Sequence, residues 1–299
     1  RDARTERGSR RTEHMEQPGL PEILETVTEN GNYLPFEGSG FAGLVRRDWM
    51  HAGNDPAETL KLIDDPSARK CKSGRKVFAV VAGGVFIKRY NFRGCWNAFR
   101  KIFKTPRPER VLAGAVRLKE FEIPTPEVLI AARRTKFRLP YEDFLVTREL
   151  STLQLPLDKL AGEFAQGDPY RQFVSGVTAL MVKMHAAGVE HGDLSLRNIF
   201  CRKSQIGIYS GWGVIDLDGC RIHVEEMPEP RRKRELARVI SSYLRCVKSR
   251  APQVKLDADT VIGDFTRKYK ELSGYNLAGS ALDARVGYLT GRIRKDGRS

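Results

Sequence analysis

Strand-like patterns are concentrated in the first half of the chain. The clearest is KVFAVVAGGVFIKRY, residues 76–90, in which two runs rich in β-branched and aromatic residues meet at Gly83-Gly84. Paired glycines between such runs predict a hairpin with a tight turn. A second run, DFLVTREL at 143–150, is mostly apolar and predicts a further strand, which we expect at an edge of the sheet.

Helical periodicity appears in three later segments, residues 106–122, 169–187 and 230–249, where apolar residues repeat at the spacing of one helix face. The apolar faces comprise Val111, Ala115 and Leu118 in the first segment, Phe173, Val177, Leu180, Met181 and Met184 in the second, and Leu236, Val239, Ile240, Tyr243 and Leu244 in the third. Early strands followed by helices predict an α+β fold. A chain of 299 residues is long enough for two lobes.

The composition is typical of a protein from a reducing, cytoplasmic compartment. The five cysteines are scattered and form no CxxC pair, as expected where disulfides do not form. The longest apolar run, residues 77–87, falls well short of the roughly 20 residues that a membrane-spanning helix needs. Residues 1–35 lack the apolar region of a signal peptide and are expected to form a flexible basic tail.

The net charge of +15 favours an anionic partner, and nearly half of it lies in residues 88–110. In a helix, the middle of this stretch would carry Trp96, Phe99, Ile102 and Phe103 on one face and Arg100, Lys101 and Lys104 on the other. Such a helix is suited to an anionic membrane surface. The alternative is an ordinary helix packed on the first lobe. Nucleic acid is not expected, since no nucleic-acid-binding motif accompanies the charge.

The stretch HGDLSLRNIF, residues 191–200, places Asp193 five residues before Asn198. It could be only a polar turn before a strand. The same spacing occurs in the catalytic loop of protein kinases. Phosphoryl transfer needs a carboxylate to accept the proton of the attacking hydroxyl and an amide oxygen to hold Mg²⁺. Asp193 is therefore the candidate base and Asn198 a candidate metal ligand, while His191 is expected to brace the loop.

A second metal ligand is predicted in VIDLDG, where Asp216 follows the apolar residues Val214 and Ile215 and so emerges at a strand end. A carboxylate there could bridge Mg²⁺ to nucleotide phosphates. If the strand continued, Asp218 would point to the opposite face. We therefore expect Asp218 to be structural.

A phosphate-binding lysine is predicted at Lys88, which ends the apolar run of VFIKRY in the way that kinases place the lysine of V-A-I-K. Glu109 is the candidate partner of Lys88, with a solvated charge near a helix start as the alternative. DFLVTREL would connect the two lobes, and its last residues, Glu149 and Leu150, are expected to contribute to nucleotide binding.

Two segments could cover the nucleotide. KCKSGRK, residues 70–76, lies directly before the predicted hairpin and makes Ser73 and Gly74 candidate nucleotide-binding residues. GSGFAG, residues 38–43, fits the GxGxxG pattern but lies 45 residues before Lys88. We favour the first segment, because the second would need an insertion between adjacent strands.

Five stretches together resemble the lipopolysaccharide kinase family, the Kdo and heptose kinases of bacterial inner-core assembly. They are FIKRY, EIPTPEV, LVTREL, HGDLSLRNI and VIDLDGCRI, within roughly residues 76–245. The resemblance implies a bilobal protein-kinase-like fold and ATP-dependent phosphorylation of a sugar hydroxyl on a lipid-linked glycan. It also implies that Asp193 is the base, that Asn198 and Asp216 bind Mg²⁺, and that Lys88 contacts the ATP phosphates.

From these features we expect a nucleotide-binding lobe over residues 36–147 and a catalytic lobe over 148–299. Few residues separate Asp216 from the helix near 230, and no A-P-E sequence follows. This favours a glycan or small-molecule acceptor over a peptide. The alternatives are an atypical protein kinase, an aminoglycoside-type phosphotransferase, or an inactive kinase fold acting as a scaffold. The expected location is the cytoplasmic face of the inner membrane.

Overall fold

The computed structural model describes residues 19–92, 105–136, 139–151, 153–224 and 226–291. The predicted membrane-binding helix around residues 95–104 lies outside these ranges, as does most of the predicted N-terminal tail. No helix in the described ranges has the length and apolar character needed to span a bilayer.

Within the described residues, seven strands form one antiparallel sheet in the order β1-β2-β6-β7-β5-β4-β3. Their bounds are β1 Tyr33–Gly38, β2 Phe41–Arg46, β3 Arg69–Ser73, β4 Val77–Ala82, β5 Val85–Asn91, β6 Val128–Lys136 and β7 Leu139–Arg148. The predicted hairpin is confirmed as β4 and β5, with Gly83 and Gly84 both at positive φ in the turn. The edge position expected for DFLVTREL is wrong. This segment belongs to β7, which pairs with both β5 and β6, as its nearly continuous buried run requires.

The sheet has two different faces. One face packs a closed apolar cluster that includes Val80, Ile87 and Val146. The helices beside the sheet are α1 Leu20–Glu29, α2 Arg47–His51, α3 Pro56–Lys61 and α4 Arg107–Glu120. α4 contributes Val111 and Leu112 to a second cluster, which continues into the second half of the chain. The other face of the sheet is therefore turned toward that half.

Residues 20–35 do not belong to a flexible tail, and that prediction is wrong for them. They form α1 and the start of β1. Ile23 and Val27, four residues apart on α1, are buried, and Val27 joins the same apolar cluster as Val111 of α4. The helix is held by this apolar stripe, which the many charged residues around it obscured in the sequence.

The second half is mainly helical, and the predicted α+β order is confirmed. Its helices are α5 Leu157–Leu160, α6 Gly167–Ala186, α7 Glu229–Arg250, α8 Ala258–Ser273 and α9 Ser280–Thr290, and its strands are β8 Gln154–Pro156, β9 Val189–Glu190, β10 Ile199–Lys203, β11 Tyr209–Val214 and β12 Arg221–Ile222. The predicted apolar face of α6 is buried throughout. β8, β10 and β11 form a small sheet, and β9 pairs with β12. These two small sheets carry the loops that line the site described next.

Candidate active site

A cleft of about 480 Å³ lies between the seven-stranded sheet and the helical half. Of the predicted site residues, Lys88, Glu149, Leu150, Asn198 and Asp216 line this cleft. Apolar side chains cover both of its walls, with Ala79, Val81, Phe86 and Leu145 from the sheet and Pro156, Ile215 and Leu217 from the other half. The cleft thus combines apolar walls with a few converging polar groups, which is typical of a ligand site.

Lys88 reaches the cleft because it lies on the inner face of β5. Ile87 points into the closed cluster on the other face, so strand alternation turns Lys88 toward the helical half. Its side chain is 7% exposed, and its Nζ lies 2.5 Å from Oδ1 of Asp216 and 3.1 Å from Oδ2 of Asp218. A buried ammonium needs such partners, because an unpaired charge in the interior is costly.

Asp216 adopts a left-handed backbone conformation, with φ of 62°. β11 ends at Val214, and after Asp216 the chain enters a short turn of 3₁₀ helix at Leu217–Gly219. The expectation that Asp218 faces away from the site is therefore wrong, because the strand does not continue. The turn brings Asp218 back toward β5, where it binds Lys88 and accepts a hydrogen bond of 2.5 Å from the Tyr90 hydroxyl. Backbone strain of this kind in a non-glycine residue is often found at functional sites.

The charges around Asp216 keep it ionised. Burial alone would raise the pKa of this carboxyl, but the Lys88 ammonium lowers it by charge and by hydrogen bond, and Lys72 adds to the effect. The net result is a pKa below the ordinary value for aspartate. Burial and the neighbouring Asp218 raise the pKa of Tyr90 well above its usual range, so that its hydroxyl stays a donor.

The loop that carries Asp193 is joined to the turn that carries Asp216. His191 Nε2 lies 2.9 Å from the Ile215 carbonyl oxygen, and its Nδ1 accepts a hydrogen bond of 3.3 Å from the Asp193 amide. One neutral tautomer satisfies both contacts, with its proton on Nε2. Gly192 has φ of 82°, and a Cβ there would lie 2.5 Å from the Gly219 carbonyl oxygen. Only glycine allows the two turns to approach this closely.

Asn198 is buried and is oriented by its own loop. Its Nδ2 donates to the Asp193 carbonyl oxygen at 2.8 Å. Within the described residues, no group donates to its Oδ1, and the second carboxylate oxygen of Asp216 has no hydrogen-bonding partner either. These two oxygens lie on side chains that line the same cleft. Carboxylate and amide oxygens suit Mg²⁺, which binds to few protein ligands and completes its shell with phosphate and water. The described residues contain no larger His, Cys, Asp or Glu cluster able to hold a metal.

Three side chains of α7 bind the backbone of the loop that carries Asp193. None of them was predicted from the sequence. Glu235 accepts a hydrogen bond of 2.8 Å from the Gly192 amide, and Ser242 Oγ accepts one of 3.1 Å from the Leu196 amide. Arg238 binds the Gly192 carbonyl oxygen. In the sequence these three residues appear only as polar positions between the apolar residues of the helix, which does not indicate that they bind a loop.

Asp193 lies at the surface of this loop, with its side chain 50% exposed. Its carboxylate is bound by two arginines, at 3.0 Å to Arg197 Nη2 and at 3.1 Å to Arg238 Nη1. The carboxylate thus has a fixed orientation and remains open to solvent on one side.

The family model for the lipopolysaccharide kinase (Kdo/WaaP) family matches residues 83–262. The chain belongs to this family. It is accordingly a kinase that transfers a phosphoryl group to a hydroxyl. A search of curated proteins gave no match.

Solved kinase structures are similar to this family member over most of its length. A glucosamine kinase bound to glucosamine, ADP and inorganic phosphate has 14% identity and a TM-score of 0.50, covering 86% of this chain and 87% of its own. WaaP in complex with acyl carrier protein has 19% identity and a TM-score of 0.47, covering 76% and 98%. Rio2 kinase from Chaetomium thermophilum has 13% identity and a TM-score of 0.41, covering 93% and 91%. The first of these supports the predicted bilobal protein-kinase-like fold.

The predicted pairing of Glu109 with Lys88 is wrong. Glu109 lies instead near Arg133 and Asp143, where burial and the Asp143 charge raise its pKa although Arg133 opposes them. In the described part of this kinase, the ionic partners of Lys88 are Asp216 and Asp218. The reason is local, because Asp216 and the turn that follows it place the carboxylates of Asp216 and Asp218 against the Lys88 ammonium.

The two candidate segments for covering the nucleotide lie at opposite ends of the sheet. Ser73 and Gly74 fall at the end of β3 and in its turn to β4, and residues of β3 line the cleft. GSGFAG forms the β1–β2 turn and the start of β2, and β1 is the strand farthest from β3. Ser73 and Gly74 do not themselves line the cleft in this structure.

Proposed function

We propose that the protein uses ATP and Mg²⁺ to phosphorylate a hydroxyl of a Kdo or heptose sugar in the lipopolysaccharide inner core. The observation that carries the proposal is the convergence of Lys88, Asn198 and Asp216 on one cleft, beside the half-exposed carboxylate of Asp193. Family membership supports the reaction class and the type of acceptor.

The cleft suits a purine nucleotide in its volume and lining. The apolar residues of its two walls would enclose the base, and Glu149 and Leu150 at the end of β7 would bind its edge. Ser73 and Gly74 would lie over the phosphates, at the turn of the β3–β4 hairpin. Lys88 would bind the phosphates as a compact positive charge.

Asn198 and Asp216 would hold Mg²⁺ through the free oxygens described above. Bound there, the ion would neutralise charge on the transferring phosphoryl group. The low pKa of Asp216 supports this role, because the carboxyl is ionised and ready to bind a cation at neutral pH.

Asp193 would accept the proton of the acceptor hydroxyl. Its carboxylate is exposed on one side and is oriented on the other by Arg197 and Arg238. The oriented base and the metal would act together, since phosphoryl transfer depends mainly on positioning and on charge stabilisation.

The acceptor would approach over the short segment between Asp216 and α7. Residues 217–228 include β12, which is held against β9 beside the loop of Asp193. This segment is too short to build a peptide-docking platform and leaves room for a glycan. A lipid-linked acceptor would be met at the cytoplasmic face of the inner membrane, where the net charge of +15 favours anionic lipid.

The test is an acceptor panel with purified protein, Mg²⁺ and ATP labelled on its terminal phosphate. Core glycans that carry Kdo or heptose should become labelled, and chelation of the metal should abolish labelling. Generic protein substrates and aminoglycosides serve as matched acceptors. Label that enters only protein or only aminoglycoside would contradict the proposal, and phosphorylation without added divalent metal would contradict the metal assignment.

A further inference from the structure

The hairpin above the cleft is rich in cations and poor in glycine. Between the start of β3 and the start of β4 it carries Arg69, Lys70, Lys72, Arg75 and Lys76, but only one glycine, Gly74. A glycine-rich loop binds phosphate through closely approaching backbone amides. This hairpin has side-chain charge in place of most of those glycines.

One of these cations, Lys72, lies in the same row of paired residues as Lys88, a row that runs across the neighbouring strands β3, β4 and β5. The strand register pairs Lys72 of β3 with Ala79 of β4, and Ala79 with Lys88 of β5. Neighbouring strands are about 4.8 Å apart, so the two lysine backbones are separated by about 10 Å. The only side chain between them in this row is the methyl group of Ala79.

A β-bulge turns Lys72 toward the cleft. The register of β3 against β4 shifts between Lys70 and Lys72, and both Cys71 and Lys72 line the cleft. Lys70 pairs instead with Val80, whose side chain belongs to the closed cluster on the other face of the sheet. Lys70 and Lys72 are thus two exposed lysines on one short strand that face opposite sides of the sheet.

Among the residues that the structure describes, the charge of Lys72 is not committed to another group. Lys88 is bound to Asp216 and Asp218, whereas Lys72 forms no ion pair with any residue in the described ranges. Lys72 and Asp216 both line the same cleft. An uncommitted cation in the same cleft as the candidate metal carboxylate is placed to bind an anionic group of the ligand.

We propose that Lys72 is a second phosphate-binding residue, which holds the nucleotide polyphosphate from the side opposite to Lys88. The two lysines of the row would lie on either side of the phosphate chain, with Ala79 leaving the space between them. The hairpin would therefore recognise phosphates by side-chain charge. This inference rests on the proposed function, since it requires a nucleoside triphosphate in the cleft.

Direct binding measurements test the proposal without relying on turnover. Adenosine, ADP and ATP, the last two with Mg²⁺, are titrated by calorimetry into the wild type and into the Lys72→Gln, Lys72→Arg and Lys70→Gln variants. Lys72→Gln should bind ADP and ATP about tenfold more weakly than the wild type, because it loses one exposed charge-assisted hydrogen bond. Its affinity for adenosine should equal that of the wild type, because adenosine has no phosphate. Lys72→Arg should recover most of the loss. Lys70→Gln removes the same charge from the other face and should bind all three like the wild type.

The outcomes separate this inference from the function on which it rests. If the wild type binds ATP and Lys72→Gln binds it equally well, the inference is overturned and the proposed function stands. Equal losses in Lys70→Gln and Lys72→Gln would reveal a general charge effect and would also overturn the inference. If the wild type itself binds no ATP, the proposed function fails, and the inference fails with it. Unchanged melting temperatures show that each variant is folded, as expected for exposed positions.

Discussion

The two parts of the candidate site are held in place in different ways. The loop of Asp193 is fixed from within its own lobe, by backbone hydrogen bonds to Glu235, Arg238 and Ser242 of α7. The Lys88 ammonium and the carboxylates of Asp216 and Asp218 instead hold each other across the cleft, between the sheet and the helical half. One part is supported by its scaffold, and the other by contacts between lobes.

Under the proposed function, this difference separates the residue that would take part in proton transfer from those that would bind the nucleotide. A catalytic base must be positioned before the substrate arrives, and a loop bound to a packed helix provides that. The contacts of Lys88 join groups that would have to bind phosphate and Mg²⁺ in the working enzyme. They would therefore have to exchange partners when a nucleotide binds, which contacts between lobes allow more easily than contacts within a core.

The largest expected effect comes from removing Asp193, the proposed base, from the supported loop. Asp193→Asn should lower phosphoryl transfer by roughly 10²–10⁴-fold, the usual contribution of a positioned general base, and leave nucleotide binding intact. Single-turnover labelling of the acceptor measures the first quantity, and calorimetry measures the second. Asp168→Asn, an exposed aspartate that is also bound to an arginine, is the control. Activity within threefold of wild type in Asp193→Asn would rule out the assignment.

The next effect should come from removing the support beneath that loop. Glu235 is buried and binds both the Gly192 amide and His185, whose Nε2 lies 3.3 Å away. Glu235→Ala should lower the free energy of unfolding by about 3 kcal/mol, because it leaves buried polar groups without partners. Denaturant unfolding gives this value. On the same helix, Glu229→Ala removes an exposed ion pair with Lys233 and should change stability by less than about 0.5 kcal/mol. Similar losses in both variants would mean that Glu235 has no special supporting role.

A smaller effect is expected for one contact across the cleft. Tyr90→Phe removes the hydrogen bond to Asp218 and should lower the free energy of unfolding by about 1 kcal/mol. Nucleotide affinity should persist, because Lys88 and Asp216 remain. Denaturant unfolding and a nucleotide titration check the two expectations. A variant that loses nucleotide binding completely would place Tyr90 in the binding machinery itself.

The smallest effect concerns pH. Burial alone would raise the pKa of Glu235, but the hydrogen bonds from His185 and the Gly192 amide, together with the charge effects of His185 and His191, lower it overall. A carboxyl with a lower pKa in the folded protein contributes stability above its unfolded value, about 4.3, and loses it as the pH falls through the folded pKa. Unfolding free energies measured from pH 7 to pH 3 should therefore fall less steeply in Glu235→Gln than in the wild type. Parallel profiles would show that another carboxyl controls the acid range.

The sequence predicted those parts of the site that local patterns define. Asp193 and Asn198 are five residues apart in one loop, and Lys88 follows an alternating strand. Asp218 was assigned to the wrong face, because its direction depends on the left-handed conformation of Asp216. The role proposed for Lys72 could not be predicted, because a bulge changes which side of a strand a residue faces. Glu235 could not be found, because its role depends on how α7 packs against a loop more than 40 residues earlier in the chain.

β3 also forms one end of the sheet, and in the part of the chain that the structure describes no strand pairs with the outer side of its backbone. A long apolar strand in that place would invite another chain to add to the sheet. β3 instead has five residues, all exposed, with charges at Arg69, Lys70 and Lys72 and a bulge between the two lysines. These are features that block edge-to-edge association. Neutralising this hairpin would therefore affect how the protein behaves in concentrated solution, in addition to any effect on its ligand.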